Sequence, residues 1–287
     1  MILGSESMRK VRVVTDSTVD LSNDIIEKLQ IEVVPLTFTI DDKVYADRID
    51  ITPAEFMEKM KQSSELPKSS QPSVGQFVEV YNRLGKEGFD VISIHMTGGM
   101  SGTVRSAESA AMLAEANVTV IDSRFISLAL GFQVIEAAKM AQEGKSIVEI
   151  VKRLDEIREN TYLYVTVDTL ENLVKGGRIG RGKALIGSLL NIKPIALLAD
   201  GVYTPITKVR SHTQIVKYLT KQFIEDTKGK TVKAVAIAHA DSLDLANRLK
   251  ESVAKETGIA DIEVVYTTPT IATHTGPGAI GFMYYAE

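Results

Sequence analysis

Glycines and hydroxyl side chains are concentrated in residues 97–103, which read TGGMSGT. An apolar run at 89–96 precedes them and predicts a buried strand, and residues 104–116 follow with the pattern of a helix. The first turn of a helix leaves backbone N–H groups free, and its dipole favours negative charge. Ser101 and Thr103 add hydroxyl donors. The stretch predicts an anion site, although a plain cap between strand and helix fits the same residues.

A second hydroxyl-bearing loop, at residues 67–73, reads PKSSQPS. Its two prolines favour an extended or turned backbone. Residues 73–76 match the capping-box pattern, so another helix is expected to start there. A loop rich in hydroxyl groups therefore precedes a helix for a second time.

Residues 8–160 alternate strands with helices, which predicts a three-layer α/β/α domain around a mainly parallel sheet. Strands are expected near 11–15, 32–40, 90–96 and 118–122, and 41–51 is expected to be turn-rich. In such sheets ligands bind beyond the carboxyl ends of the strands, where the strand order reverses. The polar stretches at such ends are 16–18, 97–103 and 122–124.

Residues 161–287 follow a different pattern, which predicts a second, two-layer α+β domain with a mixed sheet. Asp200 and Gly201 separate two apolar runs and are typical of a β-hairpin, so antiparallel pairing is expected. We also expect a helix over 183–190 and a turn over 273–278 before the last strand.

The composition excludes several classes of function. The 287 residues carry 33 Lys and Arg against 37 Asp and Glu, a net charge of −4, which does not favour nucleic acid or an anionic membrane as partner. There is no cysteine, which excludes disulfides and thiolate chemistry. No apolar run is long enough to span a bilayer, and residues 1–10 lack a signal-peptide core. A cytoplasmic protein is expected, in which 1–6 is an expression remnant if the chain starts at Met8.

Several catalytic motifs were tested and are incomplete. Residues 99–103 miss the nucleophile elbow because the fifth position is threonine. Residues 177–183 have the spacing of a phosphate-binding loop, but Ala184 replaces the hydroxyl that would hold magnesium, so a basic surface loop is favoured. The four histidines show no metal-ligand spacing, and we expect neither metal nor cofactor. His274, between Thr273 and a glycine-proline pair, could face a ligand or serve as a structural hydrogen-bonding group.

Taken together, these segments resemble the DegV family over nearly the whole chain. The residues that carry the resemblance are 15–20, 67–73, 100–103, 175–179, 189–194, 208–210 and 274–278. The resemblance implies two α/β domains that enclose one long-chain fatty acid. It also implies the role of the fatty-acid-binding subunit of bacterial fatty acid kinase, which presents the carboxylate to the ATP-binding subunit for acyl phosphate formation and phospholipid synthesis.

The same resemblance implies roles for individual residues. Ser69 and Ser101 would hold the carboxylate, and Gly102, Thr103 and His274 would lie beside it. Position 69 is usually threonine in the family, so Ser69 keeps the hydroxyl donor but lacks a methyl group. The residues expected to face the kinase are Arg178 and Arg210. From the donor types we further expect neutral groups at the head, which would leave the carboxylate nucleophilic.

Two other functions remain open at this point. One is a stand-alone enzyme for a small phosphorylated or carbonyl compound, with His274 as nucleophile or base and Ser101 as anion anchor. The other is a regulatory sensor that binds the same lipid without any kinase. The enzyme would turn over its substrate without a partner, whereas the sensor would bind lipid but engage no ATP-dependent protein.

Overall fold

The computed structural model describes residues 9–187 and 192–287. The strands in these residues are β1 (Lys10–Asp16), β2 (Glu32–Val34), β3 (Thr37–Ile40), β4 (Lys43–Ala46), β5 (Lys68–Ser70), β6 (Phe89–His95), β7 (Val118–Asp122), β8 (Thr161–Thr166), β9 (Lys193–Ala199), β10 (Val202–Val209), β11 (Val232–Ala240), β12 (Glu263–Tyr266) and β13 (Ala279–Ala286). The helices are α1 (Asn23–Lys28), α2 (Pro53–Gln62), α3 (Val74–Lys86), α4 (Thr103–Leu113), α5 (Ser127–Gln142), α6 (Ile147–Glu159), α7 (Glu171–Lys175), α8 (His212–Thr227), α9 (Leu243–Thr257) and α10 (Pro269–Thr275).

A four-stranded parallel sheet organises the first part of the chain, in the order β2-β1-β6-β7. Ile92 and Ile94 of β6 face α5, whereas Val91 packs with Phe77 of α3. Helices therefore cover both faces, and the predicted three-layer arrangement is confirmed. The chain leaves β1 towards β2 on one side and joins β6 on the other, so the strand order reverses between β1 and β6.

The predicted single strand at 32–40 is wrong, because it is two strands in different sheets. Pro35 lies between them and has no N–H to continue a ladder. β3 pairs antiparallel with β4, which lies in the segment expected to be turn-rich, and with β5 of the proline-flanked loop. The register places Ser69 opposite Phe38, a buried core residue. A hydrogen-bonded strand therefore carries Ser69.

A six-stranded mixed sheet organises the second part, in the order β10-β9-β8-β13-β11-β12. Only β11 and β12 pair in parallel among its neighbours. The predicted hairpin is confirmed, with positive φ angles of 51° at Asp200 and 76° at Gly201, as a tight primed turn requires. The parallel sheet uses strands from 10–122 and the mixed sheet strands from 161–286. The boundary at residues 160 and 161 stays a prediction.

Two local predictions in the second part need correction. Over 183–190 we expected an α-helix, but Gly180–Leu185 forms 3-10 turns, and residues 188–191, with part of the 189–194 motif, lie outside the described residues. The turn expected over 273–278 is wrong at its start, because Thr273, His274 and Thr275 end α10. The chain leaves the helix at Gly276, whose φ of 72° suits glycine. In the described part of the chain, no helix has the length and apolarity needed to cross a membrane.

Candidate functional site

A largely apolar cavity of about 360 Å³ lies between the carboxyl edge of the parallel sheet and the inner face of the mixed sheet. That volume is in the range of small-molecule sites. Both parts of the chain contribute to its walls: Thr18, Leu36, Ser69, Ser70, Gln71, Met96, Met100, Ser101, Ile126, Val165, Leu173, Arg178, Leu198, Tyr203, Thr270, Ile271, His274 and Thr275. A narrow apolar pocket of about 30 Å³ shares Ile126, Val165 and Ile271 with it. The cavity therefore lies at the loops after β1 and β6, where the strand order predicted a ligand.

Several polar side chains of this cavity lie near one another at one end. Ser69 Oγ of β5 lies 2.6 Å from Nε2 of His274, the last histidine of the chain, 205 residues away. Arg178 folds back over this end, because its Nε donates to the carbonyl of Met100 at 2.9 Å and its Nη1 donates to the carbonyl of Gly176. Ser101 follows Met100 and lines the same cavity. We call Ser69, Ser101, Arg178 and His274 the head site.

The loop at 97–103 bonds the start of α4 and also lines the cavity. Ser101 Oγ accepts the Thr103 N–H at 3.2 Å and lies 2.8 Å from the Thr103 hydroxyl, so it bonds the first residue of α4, whose N-cap is Gly102. Thr103 is fully buried, and Gly102 packs against the side chain of Gln71. The structure does not bring Gly102 or Thr103 to the cavity wall. Their predicted contact with a ligand stays a prediction, and Thr103 contacts Ser101 through its N–H and its hydroxyl.

The glycines of this loop serve packing within the protein. A side chain on Gly99 would collide with the Gly201 carbonyl of the β9–β10 hairpin, and Thr97 donates to that same carbonyl at 2.8 Å. The loop is thereby fixed to the mixed sheet. At Gly99 the backbone closely approaches the second part of the chain.

The two arginines expected to face a kinase are placed differently. Arg178 is partly buried and lines the same cavity as Ser69 and Ser101, so the wall contains a guanidinium besides the expected neutral donors. That neutral groups alone hold the carboxylate stays a prediction. Arg210 follows β10 with an exposed side chain, and its backbone N–H donates to Gln214. Contact with a partner stays a prediction for both.

Burial sets the charge state of His274. It lowers the pKa of the imidazole to about 4, and the charge of Arg178 acts in the same direction. The ring is therefore neutral at neutral pH. Its Nδ1 is buried without a hydrogen-bond partner among the described residues and lies against Gly176. A neutral ring whose Nε2 faces Ser69 can orient that hydroxyl but lacks the acid that would make it a strong base.

This pKa makes stability depend on pH in a defined direction. In the unfolded chain the ordinary pKa near 6.5 applies, so the unfolded state binds the extra proton between pH 6.5 and about 4. The stability of the wild type relative to His274→Asn should therefore fall as the pH drops through this window, by up to roughly 3 kcal/mol. Urea titrations at several pH values measure the difference, with His212→Asn as the control. A flat difference, or an imidazole NMR midpoint near 6.5 for His274, would contradict the burial argument.

A second, polar cleft of about 680 Å³ adjoins the head site. It shares Ser69, Arg178 and His274 with the apolar cavity. Most of its other wall residues are polar or charged, and these include Ser63, Ser64, Glu65, Lys68, Glu171, Asn172 and Lys175. The head site thus forms the boundary between an apolar chamber and a polar one.

Sequence reasoning missed a buried network behind the cavity. Tyr81 OH donates to Ser93 Oγ at 2.7 Å, which lies 2.6 Å from Nε2 of His95, and Nδ1 of His95 is 3.1 Å from Asp16. Burial acts to raise the pKa of Asp16, but hydrogen bonds from His95, Thr18 and the Met96 N–H outweigh it and lower the pKa. The acid, histidine and serine are fully buried, with 0% exposure, so no substrate reaches them. The network fixes two cavity-wall positions, Thr18 and Met96.

The described residues hold no group of three or more side chains with the types and placement of a metal site. The side chains that line the cavity supply hydroxyls, one amide, one neutral imidazole, one guanidinium and an apolar wall. Such a set suits a ligand with a single anionic head and an apolar body.

Comparison with known proteins gives the same class. A family model described as "Uncharacterised protein, DegV family" matches residues 10–287. A DegV domain-containing protein of Listeria monocytogenes is 44% identical over 281 residues, which is 98% of this chain and 100% of that protein. The Thermus thermophilus structure described as "Fatty Acid Binding of a DegV family Protein" superposes with a TM-score of 0.91 at 33% identity, covering 97% of this chain and 100% of that one.

The structure of "DegV, a fatty acid binding protein" from Bacillus subtilis superposes with a TM-score of 0.89 at 33% identity, again over 97% and 100% of the two chains. The fold and cavity thus define a two-domain α/β protein of the DegV type. This chain belongs to the DegV family.

Proposed function

We propose that the protein binds a long-chain fatty acid in the cavity and presents its carboxylate to a partner kinase for ATP-dependent acyl phosphate formation. The observation that carries the proposal is that the head site separates an apolar cavity from a polar cleft. The acyl chain would lie along apolar residues such as Val165 and Leu198, and the carboxylate would lie at Ser69 and Ser101. Fatty-acid binding by the related proteins of Thermus thermophilus and Bacillus subtilis supports this assignment.

The contacts of the head site suit a carboxylate that is held but stays reactive. When Nε2 of His274 carries the hydrogen, it donates to Ser69 Oγ, and the proton of Ser69 is free for a carboxylate oxygen. Arg178 adds positive charge, but two backbone carbonyls already occupy its Nε and Nη1. Its tether directs two of its donors away from the ligand, so one carboxylate oxygen can stay exposed to the polar cleft.

The polar cleft provides the room that a phosphoryl transfer needs. An oxygen of the carboxylate attacks the γ-phosphorus of ATP on the kinase, the bond to the β–γ bridging oxygen breaks, and ADP leaves. The acyl phosphate then spans the head site, with its chain in the apolar cavity and its phosphate in the cleft. ATP and a phosphoryl-transfer partner place this role in the cytoplasm, with phospholipid synthesis as the use of the product.

The stand-alone enzyme fits the geometry less well. The structure pairs His274 with Ser69, an arrangement with the distance of a nucleophile and its base. A pKa of about 4 makes this imidazole a weak base at neutral pH, and no acid among the described residues orients its Nδ1. The cavity is also mostly apolar, whereas a small phosphorylated substrate needs a polar pocket.

The purified protein should contain bound fatty acid in about equal molar amount. Burial of about ten methylenes at roughly 0.8 kcal/mol each favours retention of the chain through purification. Native mass spectrometry of the intact protein, followed by lipid extraction and gas chromatography, measures the occupancy. Protein that carries no fatty acid, and takes none up on incubation with fatty-acid vesicles, would rule the binding function out.

A kinase assay then separates the presenting subunit from a lipid sensor. Lipid-loaded protein, ATP and the ATP-binding subunit of a bacterial fatty acid kinase are incubated with hydroxylamine, which traps acyl phosphate as a hydroxamate. Hydroxamate that appears only when all components are present supports presentation. Bound lipid without any hydroxamate would favour the sensor.

A further inference from the structure

The helix that carries His274, α10, depends on tertiary contacts for its position. α10 has seven residues, and helices of that length are not stable without tertiary contacts. His274 lies in its last turn, in contact with Ser69 of another sheet. Whatever fixes the start of α10 therefore also sets the geometry of the head site.

Two buried carboxylates from the first fifty residues contact the start of α10. Asp20 accepts the Thr268 N–H at 2.9 Å through Oδ1 and the Thr267 hydroxyl at 2.7 Å through Oδ2. Asp47 accepts the Thr270 N–H at 3.3 Å. Asp20 is 7% exposed and Asp47 is fully buried. These contacts join segments that are 223 to 248 residues apart in the chain.

Burying two carboxylates at the start of a helix costs desolvation free energy. Burial raises the pKa of both carboxylates to about 6, although hydrogen bonds and, for Asp20, the nearby Arg48 act against the shift. A serine or threonine hydroxyl would cap a helix without this cost. Charged groups fix a position more firmly than hydroxyls do, because they form stronger hydrogen bonds and match the positive end of the helix dipole.

The opposite end of α10 is fixed by the second part of the chain. Asn172 of α7 donates to the Thr273 carbonyl at 3.0 Å, and Gly176 lies directly against the His274 ring. The helix is thus held at its start by one half of the molecule and at its end by the other. These contacts place the His274 ring with its Nε2 2.6 Å from the Ser69 hydroxyl.

We propose that Asp20 and Asp47 are positioning residues of the head site, which hold α10 so that His274 orients Ser69 towards a carboxylate. The assignment of the ligand rests on the proposed function, whereas the placement of His274 does not. Neither carboxylate touches the ligand in this proposal. Their substitution should therefore weaken binding of the carboxylate and leave binding of the acyl chain unchanged.

Binding of palmitic acid and of hexadecanol, which share a chain and differ in the head, tests this division. Asp47→Ala should weaken binding of the acid about tenfold and change binding of the alcohol less than about twofold. Asp47→Asn keeps an oxygen for the Thr270 N–H and should recover most of the acid binding. Asp226→Ala removes a carboxylate that accepts hydrogen bonds from Tyr164 and Tyr284 in a different core cluster, and serves as the control.

A second measurement needs no ligand. In Asp47→Ala the NMR titration midpoint of the His274 ring should move from about 4 towards 6.5, because the ring becomes more exposed to water. Signals of His95, which belongs to the Asp16 network, are the internal reference. Asp20→Asn should shift His274 in the same direction. If Asp47→Ala does not fold, Asp20→Asn supplies both measurements, because it replaces the oxygen that accepts the Thr267 and Ser127 hydroxyls.

The outcomes separate the two proposals. Equal loss of acid and alcohol binding, or an unchanged His274 midpoint in folded variants, would overturn the positioning role. A wild-type protein that binds neither compound would overturn the proposed function. The His274 midpoint would then decide the positioning role by itself.

Discussion

Leu198→Trp should abolish fatty-acid binding while the protein stays folded. Leu198 is buried on β9 and lines the apolar cavity, so an indole there occupies the path of the chain. Loss of contact for about five methylenes at roughly 0.8 kcal/mol each costs about 4 kcal/mol, or about a thousandfold in Kd. Titration with a fluorescent fatty acid measures the affinity.

Leu197→Trp is the matched control for this change. Leu197 is the adjacent residue on the same strand, so it points to the opposite face, where it packs with the α8 and α9 cluster. It is partly exposed and tolerates a larger side chain better. Equal affinity for Leu198→Trp and the wild type would show that the chain does not run through this cavity.

The Ser69→Ala, Ser101→Ala double variant should lose acyl phosphate formation by about a hundredfold or more. Each hydroxyl is expected to donate to the carboxylate, and a hydrogen bond to a charged group contributes roughly 1.5–3 kcal/mol. The apolar wall is unchanged, so hexadecanol should bind as it does to the wild type. The hydroxamate assay and the two-ligand comparison measure these effects separately.

Ser101 also accepts a backbone N–H at the start of a helix, so its substitution can affect stability. Ser146→Ala is the control for that effect. Ser146 accepts the Glu149 N–H at the start of α6 and has no part in the head site. Its loss should cost about 1 kcal/mol of stability and leave the kinase reaction unchanged. Full acyl phosphate formation by the double serine variant would remove both hydroxyls from the mechanism.

The elements that the sequence predicted well are those with strong local signals. The capping box at Ser73 and the Asp200–Gly201 hairpin are both in place. Each signal lies within a few residues of the structure it sets. The positions of the loops after β1 and β6 followed too, because parallel strands bring their carboxyl ends to one edge.

The errors occurred where a distant contact decides the local structure. Residues 32–40 form two strands because β2 pairs with β1 in one sheet and β3 pairs with β5 in another. The strand within 67–73 forms because β3 lies beside it. Arg178 was expected at the surface, but the carbonyl of Met100, from a loop 78 residues earlier, draws it into the head site. The pairing of His95 with Asp16 spans 79 residues and leaves no sequence signal.

The sequence by itself determined the family, the two sheet types and the presence of hydroxyl-bearing loops at helix starts. Only the tertiary structure decided which groups meet: Ser69 with His274, Arg178 beside both, and an apolar chamber next to a polar one. The reason is physical. Helix caps and turns are set by interactions within a few residues, whereas the burial that keeps His274 neutral requires packing between chain segments more than two hundred residues apart.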